Sequence, residues 1–559
     1  MMQAFIAPLA GLAEYQEILQ KRRKEKGILQ IAGCVNSQKT HLMYALGDGF
    51  SYKIIVFSSE EKAQKAYEEY RFLDSGVLYY PARDLLFYHA DIKGNYLMKQ
   101  RMEVIRSMVT RQKNQEITVI TTMDAFLDGL SPAEEIVSKR IQISSGDTVD
   151  FTKLQERLSC LGYAREVQIE GPGQFAVRGG ILDIFPLTEE VPVRVELWGD
   201  EVDSIRTFDV ESQRSIENLQ EIEIYPAAEL QSQKKQSFLE YFPTEESILF
   251  LDEPQRLIEK ANEIEEEFQE SVRKREEAGL EETQELTVYP VLEILNRINQ
   301  FYGVAFTALE GKCRGLKIRE TDYIQTKGVN PYNNSFEMLT RDLKRLKRNQ
   351  YRVILLSGSR TRAKRLAEDL RDYDLSSFYS EDMEREVQPG EIMVAYGHVT
   401  QGYEYPMLKF MVISETDIFG RQKKKKRRKL YEGQKIQSFS ELKVGDYVVH
   451  ENHGLGIYQG IEKIEVDKIT KDYMKISYAG GSSLYILATQ LDLIQKYAGA
   501  DAKKPKLNKL GSNQWTKTKN QVRGAVRQIA RDLVELYAAR QQENGYQYEP
   551  DTVWQKEFE

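Results

Sequence analysis

The sequence has few cysteines and no long apolar run. Its 559 residues include three cysteines, Cys34, Cys160 and Cys313, which are far apart and odd in number. A disulfide framework or a thiolate zinc site is therefore not expected. No apolar run reaches the roughly 18 residues that a membrane-spanning helix needs, and the N-terminus lacks the layout of a signal peptide. We expect a cytoplasmic protein in a reducing compartment, without membrane contact.

The net charge of −8 is unevenly distributed. Residues 421–429, RQKKKKRRK, carry eight positive charges in nine residues, so the remainder of the chain carries −16. Such a block does not pack and is typical of a solvated linker. Nucleic acid binding is an equally good interpretation, because Lys and Arg side chains release counterions from phosphates.

The length predicts several domains, since single cores rarely grow past roughly 250–300 residues. Early in the chain, apolar strand patterns alternate with helical patterns, which predicts a parallel sheet covered by helices on both faces. The strand patterns are ILQIAG, YKIIVFSS, GVLYYP, ITVITT and SILFLDEP.

Later segments have different patterns of apolar, glycine and proline residues. Gly- and Pro-broken strands from about residue 131 predict a small α+β insert, and residues 336–418 repeat the α/β alternation. Short strands joined by Gly-rich turns, including the hairpin loop AGGSS, predict a small β-barrel after the basic run. An apolar stripe from Val522 to Leu536 predicts a long C-terminal helix.

A nucleotide-binding motif is nearly complete near the N-terminus. In GCVNSQKT, Gly33, Lys39 and Thr40 have the spacing of the phosphate loop G-x-x-x-x-G-K-[ST], but Gln38 replaces the second glycine. A side chain there crowds the backbone that should approach phosphate. The context of strand, loop and helix indicates descent from a nucleotide loop.

The strand ILFLDE ends in two carboxylates, Asp252 and Glu253. In a working NTPase these would order Mg²⁺ and activate water. They could equally be ordinary exposed acids at a strand end. His450 and His453 have no third ligand nearby, so we interpret them as structural and expect no metal site.

Two stretches have the composition of protein interfaces. In the insert, Arg165, Arg178 and Phe185 predict exposed arginines beside an exposed aromatic side chain, although a solvated strand face is the alternative. In the β-rich module, GIYQGIEKIEV interleaves apolar and polar residues on a strand that could accept another sheet by β-addition or lie in the core. The residues concerned are Tyr458, Ile461, Lys463, Ile464 and Glu465.

Taken together, these motifs resemble the N-terminal half of the bacterial transcription-repair coupling factor family (Mfd). The part up to about residue 335 is similar to the repair protein UvrB, through GCVNSQKT, YPARDLLFY, GQFAVRGGILDIFP, VRVELWGDEVDSIRTFD and FLDEP. The stretch VGDYVVHENHGLGIYQGI…DYMKISYAGGSSLYI is similar to the RNA-polymerase-interacting domain shared with the CarD family.

The resemblance implies a multidomain α/β protein. It comprises a UvrB-like degenerate P-loop (RecA-like) domain with a small α+β insert, a second α/β domain, a small Tudor-like β-barrel and a long C-terminal helix. The implied segments are 1–126 (domain 1a), 127–212 (UvrA-binding insert), 213–335 (domain 1b), 336–418 (α/β domain 3), 419–438 (basic linker), 439–505 (RNA-polymerase-interacting domain), 506–545 (linker and relay helix) and 546–559 (start of a translocase module).

The resemblance also implies partners. The insert would bind UvrA through Arg165, Arg178 and Phe185, and the β-rich module would bind the RNA polymerase β subunit with Ile464 in the contact. The family's motor is a superfamily 2 DNA translocase that uses ATP and Mg²⁺ on double-stranded DNA, and its motifs are missing here. We therefore expect a monomeric, non-catalytic adapter without a cofactor. The alternatives are a P-loop ATPase centred on Lys39 and Asp252, or a DNA-binding repair module using residues 421–429.

Overall fold

The structure is a computed structural model, and its described part comprises residues 2–83, 95–113, 115–210, 212–230, 232, 234–277, 288–311, 313–420, 434–435, 442–450, 453–466, 469–487, 494–497, 505–510, 514–515, 517–518 and 521. The chain forms two compact units, residues 1–428 and 429–559. The basic run 421–429, the predicted helix over residues 522–536 and the segment 546–559 lie outside the described residues.

The first unit is built around a seven-stranded parallel sheet. The sheet confirms the predicted alternation, since its five inner strands are predominantly apolar and buried on both faces, as central parallel strands must be. In sheet order the strands are Ile318–Tyr323, Gly27–Ala32, Tyr302–Thr307, Ser247–Asp252, Tyr52–Phe57, Ile117–Thr122 and Leu78–Tyr80. The α-helices of this region are Gln3–Ile6, Ala13–Lys21, Asn36–Leu46, Glu60–Leu73, Asn95–Val109, Asp124–Leu127, Ala133–Lys139, Pro254–Glu277 and Val291–Ile298, with 3₁₀ turns Ala7–Gly11 and Phe238–Tyr241.

A second, six-stranded sheet forms the insert. Its apolar face packs on the helix Phe151–Cys160, whose N-terminus is capped by the Asp150 carboxylate accepting from the Lys153 N–H at 3.1 Å. In sheet order the strands are Ser215–Leu219, Glu201–Phe208, Val193–Trp198, Ile181–Phe185, Gln174–Arg178 and Ala164–Glu166. Two short antiparallel pairs connect the insert to the first sheet's domain, Ile141–Ser144 with Glu221–Ile224 and Gly129–Leu130 with Gln236–Ser237.

Residues 327–419 form a third domain, here called the third layer, around another six-stranded sheet. Alternate residues of each strand point to opposite faces, so Val353 and Leu355 pack under helices while Ile354 and Leu356 join the core of the first domain. In sheet order the strands are Lys327–Gly328, Tyr403–Tyr405, Phe410–Ile413, Arg352–Ser357, Ile392–Tyr396 and Phe378–Tyr379. The helices are Phe336–Arg348, Arg360–Asp372 and Glu415–Phe419, with a 3₁₀ turn Pro406–Leu408.

The second unit contains a six-stranded antiparallel sheet, and the AGGSS hairpin loop lies where the sequence predicts it. In sheet order the strands are Gln434–Lys435, Ile494–Lys496, Tyr447–His450, Gly454–Val466, Ile469–Ser477 and Ser483–Leu487. Across the described parts of both units, no helix is long and apolar enough to cross a membrane.

Candidate functional site

The relic loop, Gly33–Thr40, joins the buried strand Gly27–Ala32 to the helix Asn36–Leu46. This is the position of a phosphate loop in a nucleotide-binding domain. Gly33 has φ +84°, so it supplies the left-handed turn that such loops need. The scaffold of the ancestral site is therefore retained.

Lys39 binds the two carboxylates at the end of a neighbouring strand. Its Nζ lies 2.6 Å from Asp252 Oδ1 and 2.7 Å from Glu253 Oε1. Burial by itself lowers the pKa of Lys39, but the charges and hydrogen bonds of the two acids outweigh it and hold the pKa above its ordinary value. The lysine of the loop and the two carboxylates at the strand end therefore form an ion-pair cluster within the protein.

Ser37 and Thr40 are bound by a residue that the motif does not contain. Glu69, on the helix Glu60–Leu73, accepts from Ser37 Oγ at 2.7 Å and from Thr40 Oγ1 at 3.1 Å. It also accepts from the backbone N–H of Thr400 at 2.7 Å, in a loop of the third layer. The hydroxyl of Thr40, which would ligate Mg²⁺ in an NTPase, is therefore part of a hydrogen-bond network that joins the first domain to the third layer.

Three backbone amides of the relic loop are also engaged. The Cys34 N–H donates to the Thr307 carbonyl at 3.2 Å, and the Gln38 N–H donates to the Val35 carbonyl at 3.1 Å. The Val35 N–H donates to Gln38 Oε1 at 3.1 Å, so the fully buried Gln38 side chain fills the loop from within. A phosphate needs several such N–H groups free to point at it, and these three are not free.

His41, which belongs to no sequence motif, lies in the same packed seam between the first and third layers. Its ring nitrogens are 3.0 Å from the Tyr405 hydroxyl and 3.0 Å from the Phe5 carbonyl oxygen, and its ring stacks on Tyr403. Burial lowers the pKa of His41 to about 4. The helix that begins in the relic loop thus serves as a packing surface.

The insert residues do not all lie where the sequence predicts. Arg165 is exposed on the edge strand Ala164–Glu166, where it pairs with Phe175 of the apolar face. Arg178 is exposed on the polar face of the insert sheet. The prediction that Phe185 is exposed is wrong, because its side chain is 9% exposed. It packs with Ile169 and Phe208 in a small cluster on that face, which a period-two strand pattern cannot reveal.

A buried acid organises the arginines of this face. Asp183, 1% exposed, accepts from Arg178 Nη2 at 2.7 Å and from Arg194 Nε at 2.6 Å. The Arg194 guanidinium also lies 4.4 Å from the centre of the Phe208 ring. Arg178, half exposed, is therefore held in a fixed position at the surface.

The candidate polymerase-binding residues lie on a long hairpin of strands Gly454–Val466 and Ile469–Ser477. Tyr458 is buried and Ile461 half-buried. The register shifts at Gln459, next to Gly460 with φ +111°, which is a β-bulge that redirects the strand. Residues 463–465 are paired through their backbones, Ile464 opposite Lys471, while their side chains lie outside the described residues.

The hairpin has an unpaired edge. The strand Tyr447–His450 contacts the strand Gly454–Val466 only at residues 454–457, so within the described residues no strand pairs with the other edge of 461–466. An edge of this kind has the unsatisfied N–H and C=O groups that β-addition uses. The core interpretation holds for Tyr458 and the edge interpretation for the segment after it.

Two family models match these regions. The model of the UvrB interaction domain matches residues 141–230, which include the whole insert sheet. The CarD-like/TRCF RID domain matches residues 442–498, which include the hairpin.

Proteins that are similar over most of the chain indicate the same family. The chain is 31% identical over 606 residues to the transcription-repair-coupling factor of Bacillus subtilis (strain 168), covering 95% of this chain and 50% of that protein. The chain is related to the transcription-repair-coupling factors. Proteins of the same name from Staphylococcus haemolyticus (strain JCSC1435) and Staphylococcus aureus (strain Mu50 / ATCC 700699) are 28% and 30% identical, each over 88% of this chain and 46% of the relative. The chain thus spans about half the length of the coupling factors it matches.

Relationship to the coupling factors confirms the resemblance but not the individual residues. Sequence reasoning missed Glu69, Asp183 and Arg194. One signal was available for Glu69, since it follows Ala63 and Ala66 on the buried stripe of its helix, where an acid requires partners. Trp198, 86% exposed at the end of its strand, was also missed.

Proposed function

We propose that this chain is the adapter half of a transcription-repair coupling factor, which links stalled RNA polymerase to excision repair by binding both polymerase and UvrA. The observation that carries the proposal is the presence of two matched interaction domains, 141–230 and 442–498, on one chain. The chain by itself is non-catalytic, since the groups that would bind a nucleotide at the relic loop are engaged within the protein.

The UvrA contact is proposed for the polar face of the insert sheet together with its edge strand Ala164–Glu166, which carries Arg165. Arg165 and Arg178 supply exposed guanidinium groups, and Asp183 orients Arg178 in advance, which reduces the entropy lost on binding. Phe185 has a different role from the one predicted, because it packs with Ile169 and Phe208 in the buried cluster on this face.

The polymerase contact is proposed for the open edge of the hairpin, residues 461–466, with the β subunit as the partner. Main-chain hydrogen bonds would give affinity there, and Tyr458, Ile461, Lys463, Ile464 and Glu465 would set the register or contact the partner. In the same proposal, the antiparallel sheet closes as a Tudor-like barrel and residues 506–545 form a linker and a relay helix.

The remainder of the activity is proposed for a motor outside this chain. That motor would use ATP and Mg²⁺ to translocate on double-stranded DNA and displace polymerase, while this chain acts as a cytoplasmic monomer. The basic run 421–429 stays a second candidate for DNA contact.

Pull-down experiments with two matched pairs of variants test both contacts. Arg165→Ala with Arg178→Ala should weaken capture of UvrA about tenfold or more, as loss of interface arginines does. Lys153→Ala with Arg157→Ala removes the same charge from the helix on the opposite face and should not. Equal capture of UvrA by both double variants would refute the UvrA assignment.

For polymerase, Ile464→Arg should abolish capture of the β subunit, because a charge is placed in the proposed contact. Ser483→Arg places the same charge on the far strand of the same sheet and should leave capture intact. Normal β-subunit capture by Ile464→Arg would remove the hairpin from the proposal. The UvrA experiment and the polymerase experiment can fail independently, because each measures the capture of a different partner.

A further inference from the structure

The third layer carries a concentration of positive charge that no contact described above uses. Residues 336–372 contain eleven Lys and Arg against five Asp and Glu, a net charge of +6. Since the chain as a whole carries −8, the remainder carries −14. This segment is therefore a basic region on an acidic protein.

Folding concentrates that charge on one surface. The helices Phe336–Arg348 and Arg360–Asp372 bury their apolar positions in one shared core, against the same face of the sheet. The opposite face of this sheet packs on the first domain, so the helices form the outer layer. The solvent side of the two helices, here called the basic face, contains Arg341, Lys344, Arg345, Arg348, Arg360, Arg362, Lys364 and Arg365.

Most of these cations are not neutralised within the protein. Arg345 pairs with Asp342 at 2.6 Å, Arg362 pairs with Glu415, and Arg360 lies 3.7 Å from Glu381. The other five have no ion pair among the described residues, namely Arg341, Lys344, Arg348, Lys364 and Arg365. Lys364 instead lies 5.2 Å from the centre of the Tyr379 ring.

We propose that the basic face binds the phosphate backbone of duplex DNA. Five uncompensated cations on a rigid two-helix layer are complementary to a polyanion, and Arg341 and Arg348 lie about 10 Å apart along their helix, a length over which B-DNA presents several phosphates. Phosphate contacts carry no sequence information, so binding is independent of base sequence.

The composition of the face argues against an acidic protein as the occupant. Protein interfaces depend on apolar or aromatic anchors at their centre. The exposed large apolar side chains of these helices and their ends are Met338 and Tyr373, and Tyr373 packs against Phe336 with 5.2 Å between ring centres. The basic face therefore presents positive charge to a partner, and not an apolar pocket.

The test is fluorescence anisotropy of a short labelled duplex with the whole chain, titrated at several salt concentrations. All proteins carry Lys423→Gln, Lys424→Gln, Lys425→Gln and Lys426→Gln, so that the basic run does not mask the result. The test variant adds Arg341→Gln, Lys344→Gln, Arg348→Gln and Arg365→Gln. The control adds Lys113→Gln, Arg157→Gln, Lys234→Gln and Arg256→Gln, four exposed cations elsewhere.

The test variant should bind more weakly, and the slope of log affinity against log salt should fall by about one for each phosphate that is no longer neutralised, up to about four. The control has the same net charge and should keep the parent slope. Equal slopes in the test and control variants overturn the proposal. Displacement of the duplex by polyglutamate as efficiently as by unlabelled duplex, per charge, also overturns it, since the face would then capture any polyanion.

Discussion

Replacing Lys39 with methionine should destabilise the first domain even though no nucleotide is present. The change removes the cation between Asp252 and Glu253 and keeps an unbranched side chain that is one atom shorter. Breaking a buried ion pair by removing one partner costs about 3–5 kcal/mol. Lys62 Nζ, 3.7 Å from Asp252, remains to offset part of the charge, so we expect about 3 kcal/mol.

Hydrogen exchange read by mass spectrometry measures this effect locally, which matters because a multidomain chain does not unfold in one step. A loss of about 3 kcal/mol corresponds to roughly hundredfold faster exchange in the strands Gly27–Ala32 and Ser247–Asp252 if they open together. Adding Asp252→Asn and Glu253→Gln should restore much of the protection, because uncompensated charge is then removed.

The opposite result would identify an active nucleotide site. If Lys39→Met left the exchange unchanged while calorimetry showed micromolar ATP binding by the parent and none by the variant, Lys39 would be a phosphate ligand. The retention of Lys39 and Thr40 in the motif would then have a catalytic explanation, and the adapter interpretation of this domain would be wrong.

Two further predictions concern buried titratable groups. The pKa of His41 is about 4 in the folded chain and about 6.5 in the unfolded chain, so the unfolded state takes up a proton first as the pH falls. The stability should therefore not change above pH 6.5, and it should fall by up to about 3 kcal/mol as the pH drops to 4. His41→Gln should flatten that dependence in urea unfolding, and an unchanged pH profile would contradict the assignment. Asp183→Asn should lower the stability of the insert by about 3 kcal/mol, because Arg194 loses its buried counter-charge; exchange in the strand Val193–Trp198 reports this, and no increase there would contradict it.

The buried strands of the parallel sheet were predictable because burial on both faces favours apolar runs such as ILFL at residues 248–251. The relic loop was predictable because its spacing survives. Burial of Phe185 was not, since it depends on Ile169 and Phe208 covering the outer face from distant positions. Nor was the docking of the third layer on the first domain, because the His41–Tyr405 contact joins residues far apart in sequence.

The structure gives a reason for the motif GCVNSQKT that does not depend on nucleotide binding. Lys39 pairs with the buried Asp252 and the partly buried Glu253. The hydroxyls of Ser37 and Thr40 donate to Glu69, and Gln38 fills the loop. Substitution of any of these residues except by a close analogue leaves a buried polar group without its partner, which costs about 1–3 kcal/mol or more for a charged group. Stability alone therefore selects for residues that a phosphate loop also requires. A near-complete phosphate loop indicates a nucleotide site only when its amides and its lysine are free to reach a ligand, and in this chain the described contacts of both are internal.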